Sequence, residues 1–141
     1  MAASERKQRR SDCPVDYALE IFGDRWSLLL IRDLLFKGPQ TFRELLAADE
    51  GIATNILSAR LKKLEAEGVI ARAPDRLDRR RVLYSLTRKG RDIAPILVEL
   101  IGWSAKYDAR SRAAAPEGFL DRLADDRDGL VAELIGGGAA S

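Results

Sequence analysis

Histidine is absent from this chain of 141 residues, and cysteine occurs once, at Cys13. The first absence removes every His-based triad, the Cys–His pair and the usual zinc sites. The second excludes an internal disulfide, so any bridge from Cys13 must reach another molecule. Long apolar runs are missing too. The longest, around Leu28–Ile31, is cut by Arg32 and Asp33, well short of the roughly 18 residues of a membrane span. The opening residues MAASERKQRRSDC lack the apolar stretch of a secretory signal, so a cytoplasmic protein with no membrane partner is expected. Paired-carboxylate and phosphate-cradle motifs are also missing, and neither an enzyme nor a bound metal or cofactor is expected. A small Cys-dependent enzyme is the weakest of the alternatives, because Cys13 has no histidine base.

What remains is enough for one domain with a core: 46% of residues are hydrophobic. The net charge of +2 conceals a strong asymmetry. Residues 72–91 carry eight basic and two acidic groups, a local +6, while residues 13–52 carry −3 and residues 92–141 carry −4. A basic window between acidic flanks is the footprint of a polyanion binder; a solvated basic loop is the alternative.

Apolar spacing and punctuation predict the elements. Cys13-Pro14 opens a helix with Val15, Ala18, Leu19 and Phe22 on one face, closed by Gly23. A second helix, from about Arg25 to Phe36, is apolar nearly all round and is expected at the buried centre. Thr41 and Glu44 form a capping box for a short helix ending near Asp49. After a tight turn at Gly51, a helix over 53–67 carries Leu57, Leu61 and Leu64 inward. The period then changes to two short strands, 69–72 and 82–86, joined by a loop. One long helix is expected after Thr87, and a last amphipathic helix from about Pro116 to Ile135, with a frayed end. The class is therefore mostly α with a small β-hairpin (α+β), in the order of a winged helix-turn-helix.

Several motifs carry a resemblance to a known family. Cys13-Pro14, Ala18-Leu19 and Phe22-Gly23-Asp24-Arg25-Trp26 are followed by Phe42-Arg43-Glu44-Leu45 and Ile56-Leu57-Ser58. Then come Arg60 to Glu65, Gly68-Val69-Ile70, Tyr84 to Gly90 and Trp103 to Tyr107. This series, over about residues 12–108, resembles the HxlR family of bacterial winged helix-turn-helix regulators related to MarR. The resemblance implies a DNA-binding transcriptional regulator. The loop Arg76-Leu77-Asp78-Arg79-Arg80-Arg81 departs from the Pro-rich turn usual in that family and is closer to the MarR wing. Residues 110–141 exceed the usual length and inherit nothing. The expected organisation is a basic tail at 1–12, a winged-helix domain with terminal dimerisation helices at 13–109, and a C-terminal helical extension at 110–141.

A helix fits the major groove, where short polar side chains near its N-terminus reach base edges. Thr54, Asn55, Ser58 and Lys62 have the required types and spacing, with Asn55 the first candidate for base readout; Arg60 and Lys63 flank them as phosphate contacts. Thr41, at the start of the short helix, is grouped with them. The alternative is the wet face of an amphipathic helix. In the loop, Arg79 is the candidate tip contact, with Arg76 and Arg81 beside it. Asp78 is expected to pair with a neighbour and shape the loop, and the resemblance gives Arg80 a share in that.

One helix reads too few base pairs to find a genomic site, so a homodimer on a pseudo-palindromic operator is expected, acting as a repressor by occlusion. Val15, Leu19, Ile93, Leu97, Leu100 and Ile101 are the candidate interface, in keeping with the dimerisation through terminal helices that the resemblance implies; a role in the monomer core is the alternative. Cys13, at a helix start where the dipole favours an anion, is a candidate redox or electrophile sensor, as in some relatives with the Cys-Pro signature. The plainer alternative is a small residue at a helix start. Tyr17, Phe22, Trp26, Trp103 and Tyr107 are more readily core and interface aromatics than a ligand pocket, and no effector is named. A protein-interaction module on the same fold, without specific DNA binding, is the second functional reading.

Overall fold

The computed structural model describes residues 11–137. Most of the expected basic tail, with Arg9 and Arg10, and the last four residues lie outside them. The chain runs α1 (Pro14–Phe22), α2 (Arg25–Lys37), α3 (Phe42–Leu46), α4 (Thr54–Ala66), β1 (Ile70–Pro74), β2 (Val82–Leu86), α5 (Arg88–Arg91), α6 (Ala94–Tyr107), α7 (Ala109–Ala114), α8 (Phe119–Asp125) and α9 (Arg127–Ile135). It is a mostly helical fold carrying one two-stranded antiparallel hairpin, that of a winged helix-turn-helix.

Local chemistry explains the starts and stops. Pro14 occupies the first turn of α1, where its missing N–H costs nothing. Asp24 caps α2, accepting from the Ser27 N–H at 2.9 Å and the Ser27 hydroxyl at 2.7 Å. At α3 the capping box is complete: Glu44 N–H donates to Thr41 Oγ1 at 3.1 Å and Thr41 N–H to Glu44 Oε1 at 2.9 Å. That closure of two orphan donors lets a five-residue helix stand. The turn into α4 passes through Gly51 at φ 73°, a left-handed conformation that favours glycine.

The core is a single cluster. Ile31 and Leu34 of α2 and Leu57, Leu61 and Leu64 of α4 meet Val69, Ile70 and Leu86 of the hairpin, and Ile93, Leu97 and Val98 around α6. β1 and β2 pair from Ile70↔Leu86 to Pro74↔Val82. A feature not foreseen from the sequence is an antiparallel bridge between Gln40 and Tyr84, with both N–H···O bonds made at 2.9 and 2.8 Å. It extends the hairpin into the approach to α3.

Two helices expected to be continuous are broken. After Thr87 the chain makes one short turn, α5, and restarts as α6 with Pro95 in its first turn. Pro95 has no N–H to give to the preceding turn, and its ring crowds the carbonyl four residues back. The expected helix from Pro116 to Ile135 divides at Asp126 (φ −149°, ψ 60°), whose carboxylate caps α9 by accepting from the Gly129 N–H at 3.1 Å. A capping side chain that offers the backbone another partner ends one helix and starts the next. These C-terminal helices fold back onto the same core. Phe119 packs edge-on to Phe36 at 6.0 Å, Leu130, Val131 and Leu134 are buried, and Arg91 Nε donates to the Ile135 carbonyl at 2.8 Å.

The candidate dimer residues also separate. Ile93 and Leu97 are 7% and 6% exposed and belong to the monomer core, and Ile101 is half-buried against it. Helix α6 is apolar on two sides, and these residues lie on the side that meets the domain. Val15, Leu19 and Leu100 are exposed, together with Ile96, Trp103 and Tyr107, which the candidate interface omits.

Candidate nucleic-acid interface

α3, the turn and α4 form the helix-turn-helix, and an ion network from α2 holds the turn. Arg32 donates to both oxygens of Glu50, at 2.8 and 2.9 Å, and its Nε and Nη2 reach Asp33 Oδ1 at 2.9 and 2.8 Å. The fork-on-fork pair to Arg32 is the main cause that brings the Glu50 carboxyl down to about 2; partial burial opposes it. Glu50 immediately precedes Gly51, so the clamp fixes the start of the turn. A cavity of about 10 Å³ lies behind it, lined by residues that include Trp26, Asp33, Leu45 and Ile52, and is too small for an organic ligand.

On α4, Leu57, Leu61 and Leu64 face inward, and Thr54, Asn55, Lys62 and Lys63 are exposed, with Ser58 half-buried. The side chains of these five have no hydrogen bond or ion pair among the described residues. Ala53, the N-cap, offers no side-chain bond, so the positive end of the α4 dipole is open at the surface. Arg60 differs: its Nε donates to Asp24 Oδ1 at 2.9 Å, and both side chains are about 30% exposed. Thr41 is half-buried, with its hydroxyl accepting in the capping box. Arg43, the second residue of α3, is exposed and carries no side-chain partner among the described residues. It stands in one of the motifs that carry the resemblance, and its exposure adds a basic group beside the wing-side start of α3.

The wing is a built loop. Backbone bonds from Asp75 N–H to the Arg81 carbonyl and from Arg81 N–H to the Asp78 carbonyl, both 2.9 Å, close its base. Asp78 Oδ1 accepts from the Arg80 N–H and Nε, both at 3.1 Å, which holds its carboxyl below the usual range. Arg81 lies 3.8 Å from both Glu44 and Asp75, leaning the wing on the start of α3. Arg76 and Arg79 are exposed and unpaired among the described residues. One turned loop of basic character and one polar helix face are parts that duplex recognition uses.

Cys13 is exposed at the N-cap of α1 and makes no side-chain capping bond. The aromatic candidates do not form one pocket: Phe22 is in the core and Trp26 against it, while Trp103 and Tyr107 are exposed and pack on each other at 5.5 Å. Tyr17 accepts from Lys89 Nζ at 3.2 Å. Among the described residues no helix is long and apolar enough to cross a membrane.

Comparison with known proteins agrees with this geometry. The HxlR-like helix-turn-helix family profile matches residues 21–112. The chain is 39% identical over 88 residues to the uncharacterised HTH-type transcriptional regulator sll1512 of Synechocystis sp., covering 62% of this chain and 64% of that protein. It thus spans somewhat less than two thirds of that relative's length. Among solved structures it superposes on PA1607, described as a transcription factor, with a TM-score of 0.65, 36% identity and coverage of 79% and 72% of the two chains. It also superposes on the reduced form of the transcriptional regulator YodB from B. subtilis, with a TM-score of 0.56, 30% identity and coverage of 70% and 96%. A capped helix-turn-helix, a basic wing and a family match over most of the domain converge on one assignment: the chain belongs to the HxlR-like helix-turn-helix family, whose members are transcriptional regulators and not enzymes.

Proposed function

We propose that this regulator binds duplex DNA as a homodimer, occupies a pseudo-palindromic operator in the cytoplasm and represses by blocking transcription. The observation that carries the reading is the set of exposed or half-buried polar and basic side chains on α4 and the wing that have no partner among the described residues. Asn55, Thr54 and Ser58 stand on α4 for base edges, Lys62 and Lys63 beside them for phosphates, and Arg76 and Arg79 on the wing for the backbone or minor groove. Arg80 and Arg81 shape the wing and add to its field; Thr41 completes the group at the start of α3. The exposed apolar residues of α1 and α6, Val15, Leu19, Ile96, Leu100, Trp103 and Tyr107, supply the surface for the second subunit. Cys13, exposed at the start of α1, is read as the group that switches the dimer when oxidised or alkylated. The solved relative YodB exists in reduced, quinone-bound and diamide-treated forms, which makes thiol chemistry the first regulation to test.

One experiment addresses these points together: selection of bound duplexes from fragmented genomic DNA, with and without diamide, for the unaltered protein and for Cys13→Ser. A recovered site with two-fold symmetry, lost on oxidation only in the unaltered protein, is the expected outcome. Recovery of no enriched sequence favours the interaction-module reading. An equal response of both proteins to diamide removes Cys13 as the switch. Affinity for the recovered site is expected to fall steeply with salt, by a log–log slope of about 0.9 per phosphate contact.

A further inference from the structure

Arg60 stands apart from its neighbours on α4. Thr54, Asn55, Lys62 and Lys63 project without partners among the described residues, whereas the Arg60 guanidinium turns back to Asp24, 36 residues earlier. Asp24 is itself fixed. Its Oδ1 accepts from the Ser27 N–H as well as from Arg60, and its Oδ2 accepts from the Ser27 hydroxyl, which is fully buried. Burial works against ionisation of this carboxyl, but the bonds from Ser27 and Arg60 outweigh it and hold the group below its ordinary range. The carboxylate is therefore a charged acceptor of fixed position at the junction of α1 and α2.

The leucine stripe of α4 decides which face is buried, but apolar contact is non-directional and tolerates small rotations. A charge-assisted hydrogen bond is short and directional. Arg60, one turn beyond Ile56 and midway along α4, is where such a bond sets the helix's rotation. A second tether acts at the far end, where Lys89 Nζ donates to the Glu67 carbonyl at 2.7 Å and to the Tyr17 hydroxyl. Asp24 caps α2 and Tyr17 lies within α1, so the two tethers lead to the two N-terminal helices on either side of Gly23.

We propose that Asp24 and Arg60 are a positioning pair: Arg60 serves DNA reading by fixing the rotation of α4 through Asp24, and not by contact with phosphate. The inference rests on α4 being the recognition helix. Asp24→Asn separates the two duties of Asp24, because Asn caps a helix about as well as Asp but gives up the charge pair. Arg60→Met removes the guanidinium and keeps the length.

The full-length variants are titrated with the duplex recovered by selection and with an unrelated duplex of equal length, each over a range of salt. For the positioning pair, both variants lose about tenfold in affinity for the selected duplex, the change expected when a charge-assisted hydrogen bond is lost. Both keep their affinity for the unrelated duplex and their salt slope, and the double variant is no weaker than either single one. The opposite pattern overturns the proposal: Arg60→Met weakens both duplexes and lowers the slope by about 0.9 per subunit, while Asp24→Asn binds as well or better because Arg60 is released. Should Arg60→Met not fold, Asp24→Asn decides alone by the same criterion. If the unaltered protein binds neither duplex, the recognition-helix reading falls and the pair with it. If it binds and the phosphate pattern appears, only the pair falls.

Discussion

At the scale of single residues, the junction between hairpin and α5 is the least forgiving place in the domain. Thr87 donates through its hydroxyl to the Gly68 and Val69 carbonyls and accepts from the Gly90 N–H at 3.2 Å. Gly90 is buried so closely behind it that a Cβ built there runs into the Val69 carbonyl oxygen and the Leu86 side chain. The obstacle on one side is backbone, which has little room to give. Gly90→Ala is therefore expected to destabilise the fold by about 1–3 kcal/mol, the usual cost of overpacking. Urea unfolding of the two proteins checks this; an unchanged midpoint means the hairpin and α5 separate easily. The glycine sits in a stretch that resembles the family, yet nothing in the sequence alone distinguishes a close approach from a simple helix break.

At the scale of elements, the turn before α4 depends on charge. The Glu50 carboxyl, ordinarily at 4.5, is held at about 2 by Arg32. A carboxyl depressed on folding stabilises fully above its unfolded value and loses that contribution as pH falls through the folded one. The Arg32–Glu50 clamp is thus fully present above about pH 4.5 and lost between there and pH 2. Glu50→Gln removes the charge at similar size. The gap in urea midpoint between Glu50→Gln and the unaltered protein is expected to be full at pH 6 and to close as pH falls toward 2. Asp24 and Glu44 are depressed as well but are common to both proteins, so they cancel in the difference. A gap that is constant with pH means the clamp acts by shape alone.

The elements themselves were legible to the extent that their signals are local. Pro14, the Thr41–Glu44 box and the leucine triplet of α4 each act within one or two turns, and each is found where the spacing predicts it. The breaks at Pro95 and Asp126 are local as well, but the apolar period runs through both and hides them. What the chain order cannot express is pairing across long separations. Arg32 with Glu50 and Arg60 with Asp24 are both charged residues that read from sequence as surface. From sequence Arg60 is accordingly a phosphate candidate, whereas its side chain bonds to the Asp24 cap. Ile93 and Leu97 fail for a related reason: α6 is apolar on two sides, and periodicity alone does not say which side meets the domain.

At the scale of the whole molecule, the C-terminal helices decide how much of α6 is left open. Leu123 of α8 packs against Gly102, Arg127 Nε donates to Glu99 at 2.7 Å, and Phe119 reaches across to Phe36. The extension thus covers one flank of α6. The side it leaves is the row Ile96, Leu100, Trp103 and Tyr107, spaced by four, three and four residues and therefore on one helical face. Four large apolar side chains in one exposed row are more than the scattered surface residues of a monomer require. If that row is the subunit contact, charge placed on it should separate assembly from folding. Leu100→Glu with Trp103→Glu is expected to give a monomer at micromolar concentration by sedimentation, with helical content retained because neither side chain is buried in the domain. With half the phosphate contacts, its salt slope for the operator should fall to about half. Phe119→Ala makes the counter-case: it removes a buried ring and is expected to cost about 3–5 kcal/mol of fold stability. A double variant that still sediments as a dimer would move the interface away from α6, leaving Val15 and Leu19 of α1 as the exposed apolar pair to test next.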